Sequence, residues 1–405
     1  MGNVITGLDV GSAQIKGVVV YAKKDGALSV VSVFKKPSAG FRKGVIVDIE
    51  EATKSLRDVV LELQKISPKS SENIFINVNG EHIKIRPSRG VAAVARADWE
   101  IQDEDVDRAV QAAGAVKNSP NHLVLHHVIR EFFIDDIGDI HNPIGMTGNR
   151  LEVDTVIIEA FAPHVNLLLK CLRHAGADVG GLIFNLLASS RAVLSKQAKN
   201  LGVLMIDFGF GTTNLAVYEE NKVRHAKSLP IGAGYLTNDI AIGLKTSLDV
   251  AEKLKLTYGC ALAKDVSRRE MIKLSEFEDA NPNEISRRFI SEIIEVRLEE
   301  LLDLIHNELK SISGSPQLPA GTVITGAGAK LPGMVELVRE KLKLPVQIGL
   351  PDLGDFEVLN PVHREMLEDP EFGTAVGLVL SGLHEKKKSF GRFGFVKNIL
   401  AKLMP

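Results

Sequence analysis

Two distant stretches of this 405-residue chain follow one pattern. Asp9-Val-Gly11-Ser-Ala-Gln-Ile-Lys-Gly-Val-Val-Val-Tyr21 and Asp207-Phe-Gly209-Phe-Gly211-Thr-Thr-Asn-Leu-Ala-Val-Tyr218 each place Asp-x-Gly at a tight turn before a β-branched run ending in Tyr. Around the first, Val4–Val10, Ile15–Tyr21 and Leu28–Phe34 read as three strands. A helix follows from about Ile49, with Leu56, Val59, Val60 and Leu63 on one face. Around the second, Val203–Ile206, Leu215–Tyr218 and Val223–Leu229 repeat that order before a helix near Gly234. An internal repeat of this kind implies two similar βββα lobes facing each other. The expected fold class is α/β, with duplicated lobes around a cleft. Residues 1–85 and 164–199 are assigned to the first lobe. Residues 200–383 are assigned to the second, with an outer part at about 245–320.

The two loops also suggest a ligand. A phosphate chain needs backbone N–H donors brought close, which glycine permits because it lacks a Cβ. It also needs a carboxylate to hold Mg²⁺, usually through waters. Asp9-Val-Gly11-Ser12 and Asp207-Phe-Gly209-Phe-Gly211-Thr212-Thr213 each supply both at the end of a strand. Singly, each could be a plain hairpin turn. In register on opposed lobes they would clamp a phosphate chain between them. A third glycine loop, Gly326-Ala327-Gly328, follows the strand-like Thr322–Thr325. It reads either as a strand-to-helix turn or as a flat surface that lets adenine approach the backbone. Glu252 and Lys255 sit three apart on a probable helix, 249–256, and so share a face. They read as a surface ion pair or as ribose and base contacts. GxxxxGK[ST], GxGxxG, HExxH and GxSxG are all missing, which leaves P-loop, dinucleotide, zinc-protease and serine-hydrolase chemistry without support.

Between the lobes, residues 86–163 are expected to form a small α+β insert. It holds an acidic helix at 103–113, strands at 123–133 and 152–159, and the loop Asn142-Pro-Ile-Gly-Met-Thr-Gly148. At the far end, Lys386, Lys387, Lys388, Arg392, Lys397 and Lys402 stand against only Glu385. A basic linker at 386–389 is expected to lead into an amphipathic helix within 384–405. At 100° per residue, Phe393, Phe395, Val396, Ile399, Leu400 and Leu403 fall on one half of the wheel, with Lys397 and Lys402 flanking it. Phe390 extends the apolar set. The flanking lysines can snorkel while the apolar arc sinks into an anionic lipid surface; a helix docked on the body is the alternative. No stretch reaches the roughly 20 apolar residues of a spanning helix. The whole chain carries a net charge of −2, so no nucleic-acid partner is expected. Two cysteines without CxxC exclude a disulfide scaffold.

The loops at Asp9-Val-Gly11, Asp207-Phe-Gly209 and Gly326-Ala327-Gly328 resemble those of the actin, chaperone and sugar-kinase ATPase superfamily, whose lobes are ribonuclease-H-like. Within it the chain closely resembles the FtsA family, the bacterial cell-division actin homologues. The carriers are Asn142–Glu152, Val250–Gly259, Ile293–Glu300 and the basic amphipathic tail. The resemblance implies ATP and Mg²⁺ in the cleft, with Asp9 and Asp207 holding the metal through water. It implies cofactor contacts from Gly11, Ser12, Ala13, Lys16, Gly209, Gly211, Thr212, Thr213, Gly232 and Gly234, and from Glu252, Lys255, Gly326, Ala327 and Gly328. It implies an SHS2-like insert used in filament contacts and in recruiting later division proteins. Arg288 and Arg297 would pair with carboxylates of the FtsZ C-terminal tail. The tail would attach the chain peripherally to the cytoplasmic face of the inner membrane at midcell.

Two segments depart from that family pattern. In the second phosphate loop Asn214 stands where Asp is usual, and Phe210 replaces the middle glycine and narrows the loop. The connecting segment reads Asn185-Leu186 where Glu-Pro is common. An amide supplies no charge to a metal or to an attacking water, so ATP binding with slow or absent hydrolysis is expected. A PilM-like pilus-assembly scaffold and a small-molecule kinase of the same superfamily are the alternative functions.

Overall fold

A computed structural model describes residues 3–23, 26–115, 120–277, 284–312, 314 and 316–390, with side chains described as far as residue 384 at that end. The first lobe opens with β1 (Asn3–Val10), β2 (Gln14–Ala22) and β3 (Leu28–Pro37), an antiparallel meander. Helix α1 (Ile49–Ile66) follows, capped by the Asp48 carboxylate, which accepts from the Glu51 N–H at 3.0 Å. Its buried Ala52, Leu56, Val59, Val60 and Leu63 recur at helical spacing and face the sheet. Strand β4 (Ile74–Val78) is buried at every residue, as a strand covered on both faces must be.

The chain then leaves the lobe for the insert: β5 (Lys84–Ala93), α2 (Asp103–Ala115), β6 (His122–Ile134), β7 (Ile137–Ile140) and β8 (Arg150–Phe161). Its sheet runs β5-β8-β6-β7. Val106, Ala109, Val110 and Ala113 of α2 meet Ala92, Phe132, Leu151 and Val153 in a core of their own. The chain returns through α3 (Ala162–Ala175), β9 (Val179–Phe184) and α4 (Asn185–Val193).

The second lobe repeats the first. β10 (Val203–Phe208), β11 (Thr213–Glu219) and β12 (Lys222–Leu229) form the meander. They are followed by α5 (Ala233–Leu244), α6 (Leu248–Tyr258), α7 (Arg287–Ser311), β13 (Thr322–Thr325), α8 (Met334–Leu342) and β14 (Val346–Ile348). The strand order is β12-β11-β10-β13-β14 here and β9-β4-β1-β2-β3 in the first lobe, with both added strands parallel in each. The duplicated architecture expected from the repeat is therefore present. The outer residues near 245–320 share one hydrophobic cluster with this sheet: Leu254, Ile294 and Leu298 lie with Leu204 and Ile206.

Two expectations need correction. Residues up to 383 were assigned to the second lobe, yet β15 (Phe356–Glu357) pairs in parallel with β3. Likewise α9 (Gly373–Phe390) buries Ala375, Val376 and Val379 against Ile5, Val18 and Phe75. The chain crosses back because the outer face of the first sheet is apolar and needs a cover. Secondly, residues 386–389 continue α9 rather than forming a linker; lysine is a good helix former, and no Gly or Pro intervenes. The insert also touches the second lobe. Arg130 donates to the carbonyls of Val223 (2.8 Å) and Arg224 (3.0 Å) on edge strand β12.

Candidate functional site

The two Asp-x-Gly turns have the same local geometry. Gly11 N–H donates to the Gln14 carbonyl at 3.1 Å, and Gly209 N–H to the Thr212 carbonyl at 3.0 Å. Hairpin register then sets which side chain faces each acid. Asp9 lies opposite Lys16, and Asp207 opposite Asn214. Parallel strands β4 and β13 end beside these turns and bring Asn77 and the Gly326 loop to the same edge. This is the edge at which open α/β sheets take ligands.

A cleft of about 470 Å³ opens there, between the lobes. Asp9, Gly11, Ser12, Ala13, Lys16, Asn185, Asp207, Gly209, Gly211, Thr212 and Asn214 line one part of it. Glu252, Lys255, Gly326, Ala327 and Gly328 line the other. Gly326 has φ +85°, and a Cβ there would lie 2.7 Å from Asp207 Oδ1, so only glycine lets this loop approach the acid. Three expected contacts do not line the cleft. Thr213 is fully buried with its hydroxyl donating to the Ile231 carbonyl at 2.7 Å. Gly232 and Gly234 lie under the second loop, where the N–H groups of Ala233 and Gly234 donate to the carbonyls of Gly209 and Phe210.

At the cleft floor, Lys16 Nζ lies 3.4 Å from Asp9 Oδ2. Asn77 Nδ2 donates to Asp9 Oδ1 at 2.7 Å and to Asn185 Oδ1 at 3.0 Å. Asn185 Nδ2 donates to Asp207 Oδ2 at 2.6 Å. Asn79 Nδ2 donates to Thr212 Oγ1 at 2.9 Å and ties the lobes once more. Asn77 and Asn79 escaped the sequence reading. Their signal was the position of Asn-x-Asn-Gly at the end of β4, the counterpart of the Gly326 loop at the end of β13.

Burial raises the Asp9 pKa, with Lys16 acting against the shift. Burial lifts Asp207 to about 6, helped by the charge of Asp9 and opposed by Lys16, Asn185 and Asn214. The folded chain therefore binds more protons at Asp207 than the unfolded chain does between about pH 4 and 6. Its contribution to stability is full below the unfolded value and is lost as pH rises through 6. Asp207→Asn should be more stable than the native chain above pH 6, by up to about 3 kcal/mol, with the gap shrinking towards pH 4.5. Urea unfolding at several pH values measures it; a constant gap would rule out the buried-carboxylate account.

Asn214 Oδ1 is buried without a hydrogen-bond partner among the described residues. Two desolvated carboxylates and an unsatisfied amide oxygen suit a hydrated divalent cation. The glycine turns suit phosphate oxygens. On the other wall, Lys255 Nζ donates to Ala233 O (3.2 Å), Thr237 Oγ1 (2.8 Å) and Glu252 Oε2 (2.7 Å), and lies 5.2 Å from the Phe210 ring centre. Those bonds hold the ammonium, so Lys255 shapes the wall and supports Phe210. Burial lowers its pKa, against the pull of Glu252.

Arg288 and Arg297 lie on α7, outside the residues that line the cleft. Arg297 grips Asp239 with two bonds (2.6 and 3.1 Å) and meets Glu300 at 2.7 Å. Arg288 meets Glu292 at 3.2 Å. Phe393, Phe395, Val396, Lys397, Ile399, Leu400, Lys402 and Leu403, with the side chain of Phe390, lie outside the described residues. Among the described residues no helix is long and apolar enough to cross a membrane, and no group of three or more His, Cys, Asp or Glu could hold a metal.

Comparison with known proteins follows the same division. A family model described as "Cell division protein FtsA" matches residues 204–377, and one described as "SHS2 domain inserted in FTSA" matches 80–159. FtsA of Borreliella burgdorferi is 35% identical over 402 residues, covering 99% of this chain and 95% of that protein. FtsA of Pseudomonas aeruginosa is 34% identical over 385 residues, covering 95% and 90%. Among solved structures, a PilM-PilN type IV pilus biogenesis complex matches with TM-score 0.65 at 18% identity, over 94% of this chain and 98% of that one. MreB 5 of Spiroplasma citri bound to AMPPNP matches with TM-score 0.55 at 14% identity, over 96% and 98%. These two share the fold; the full-length identities above 30% carry the kinship, and the chain belongs to the FtsA family of cell-division proteins.

Proposed function

We propose that this chain binds ATP with Mg²⁺ between its lobes, assembles with itself on the cytoplasmic face of the bacterial inner membrane, and ties FtsZ filaments to that surface at midcell. The observation that carries this reading is the pair of matched acidic glycine turns closing on one cleft, in a chain of the FtsA family. The solved relative of the same fold with AMPPNP bound supports the ligand class. Backbone donors of the turns and Lys16 would hold phosphate oxygens, while Asp9, Asp207 and Asn214 would hold the cation's waters. Positions 185 and 214 carry amides where charged carboxylates are usual, and the bonded, desolvated Asp9 and Asp207 are poor substitutes for activating water, so binding outlasts hydrolysis.

The insert, with its own core, is the surface for later division proteins and for contacts between copies. Arg297 and Arg288 serve the FtsZ tail by exchanging internal carboxylates for those of the peptide. At Arg288 the exchange costs little, because its pair with Glu292 is exposed and such pairs are each worth about 1 kcal/mol or less; Arg297 must give up a part-buried, two-bonded pair with Asp239. The basic tail supplies attachment. Each basic residue near an anionic surface adds about 1 kcal/mol, and side-by-side copies multiply a weak single contact.

The test is co-sedimentation with phosphatidylglycerol vesicles, with and without ATP and an FtsZ tail peptide. The full chain should pellet and carry the peptide with it. Deleting residues 390–405 should return both to the supernatant. A full chain that stays in the supernatant at low salt would refute membrane attachment.

A further inference from the structure

Asp9 and Asp207 belong to different lobes, and both are almost fully buried at the floor of the cleft. Two buried carboxylates repel, so the lobes can close only if something holds them apart or joins them. Here the join is made by side chains. The path runs from Asp9 Oδ1 to Asn77 Nδ2 (2.7 Å), from Asn77 Nδ2 to Asn185 Oδ1 (3.0 Å), and from Asn185 Nδ2 to Asp207 Oδ2 (2.6 Å). Each amide can point only one way. Asn77 Oδ1 accepts from the Val10 N–H at 2.7 Å, which turns its nitrogen towards the acids. Asn185, the first residue of α4, has its oxygen taken by Asn77 and its nitrogen by Asp207.

We propose that Asn77 and Asn185 are positioning residues that join the two acidic loops directly, so that the lobes close, and accept a nucleotide, with little dependence on Mg²⁺. The inference rests on the reading of the cleft as a nucleotide site. An acid at 185 would set a carboxylate oxygen against that of Asp207 at hydrogen-bond distance. It would need a cation or a proton between them. The amide removes that need, and Lys16 offsets charge on the Asp9 side. A cation keeps water-mediated contact with the acids and with Asn214 Oδ1, which is buried without a partner among the described residues.

The experiment uses the full chain. Calorimetric titration with AMPPNP, in Mg²⁺ and in EDTA, should give native affinities within about tenfold of each other. In Asn185→Asp the gap should widen by more than about tenfold, because a cation must now sit between two carboxylates. Hydrogen exchange without nucleotide or metal gives a second readout. Residues 9–12 and 207–212 should be protected in the native chain and less so in Asn185→Asp, with Mg²⁺ restoring protection. Asn77→Ser should lose the same protection without Mg²⁺ rescue, since it adds no charge. Circular dichroism identifies variants that fail to fold, and the native measurements stand without them. A native chain that needs Mg²⁺ by more than about tenfold, or an Asn185→Asp chain indistinguishable from it, overturns the proposal. If no nucleotide binds under any condition, the nucleotide reading fails, and the exchange pattern still decides whether the bridge holds the loops.

Discussion

Gly377→Val lowers the stability of the chain by about 3–5 kcal/mol and loosens the cleft at the same time. Gly377 lies on α9 where it crosses α4. A Cβ there would sit 1.8 Å from the Ala188 carbonyl oxygen and 2.3 Å from its carbon. Backbone, not a flexible side chain, occupies the space, so one helix must move. Glycine within a helix costs about 1 kcal/mol relative to alanine, which is offset here by close packing. Ala188 lies three residues after Asn185 on α4. Pushing that helix away therefore also pulls Asn185 from Asp207. Urea unfolding gives the first effect and exchange at residues 207–212 the second. Gly377→Ala should cost less, since its gain in helix propensity offsets part of the clash. A native-like midpoint for the valine variant would mean that the helices do not meet at this point.

Gly211→Val is expected to weaken the proposed nucleotide binding by about a hundredfold or more in affinity, while leaving the fold standing. A Cβ at 211 would lie 2.7 Å from Ser12 Oγ and 3.0 Å from the Lys43 nitrogen. Two branches more would wedge the second loop off the first where Ser12 Oγ accepts from the Gly44 N–H at 3.2 Å. The substitution sits in a loop at the cleft mouth and buries no new polar group. The midpoint of thermal unfolding should therefore move little while calorimetric heat with AMPPNP disappears. Retained affinity would show that the loops need not approach this closely to hold a phosphate chain.

Much of the site was legible because hairpins are local. The Asp-x-Gly turns, the strand that follows each and the facing of Asp207 by Asn214 depend on residues within a few positions of one another. The same alternation could have removed Thr213 from the cofactor set. Successive strand residues point to opposite faces, so Thr213 and Asn214 cannot both look into the cleft. Family membership was legible for a related reason, since motif spacing survives in the linear order.

Asn77 was not legible as part of the floor. It is a polar residue in an apolar strand, and its partners are Asp9 on β1 and Asn185, the first residue of α4 just after β9, with β1 and β9 on either side of β4. The return of α9 to the first lobe was hidden as well. Its apolar pattern says that it is covered, and only the shape of the outer face of the first sheet says by what. The internal partners of Arg297, Asp239 on α5 and Glu300 a turn away, likewise limit what the isolated helix seemed free to bind.

The amino-acid order alone settled the doubled lobe, the two acidic turns and the kinship, because turn sterics and side-chain alternation act over short stretches of chain. Folding in three dimensions decided how the two acids are joined, which lobe the C-terminal helix covers and which cations are already engaged. Those outcomes come from close packing between segments far apart in the chain, where a fraction of an ångström separates a hydrogen bond from a clash.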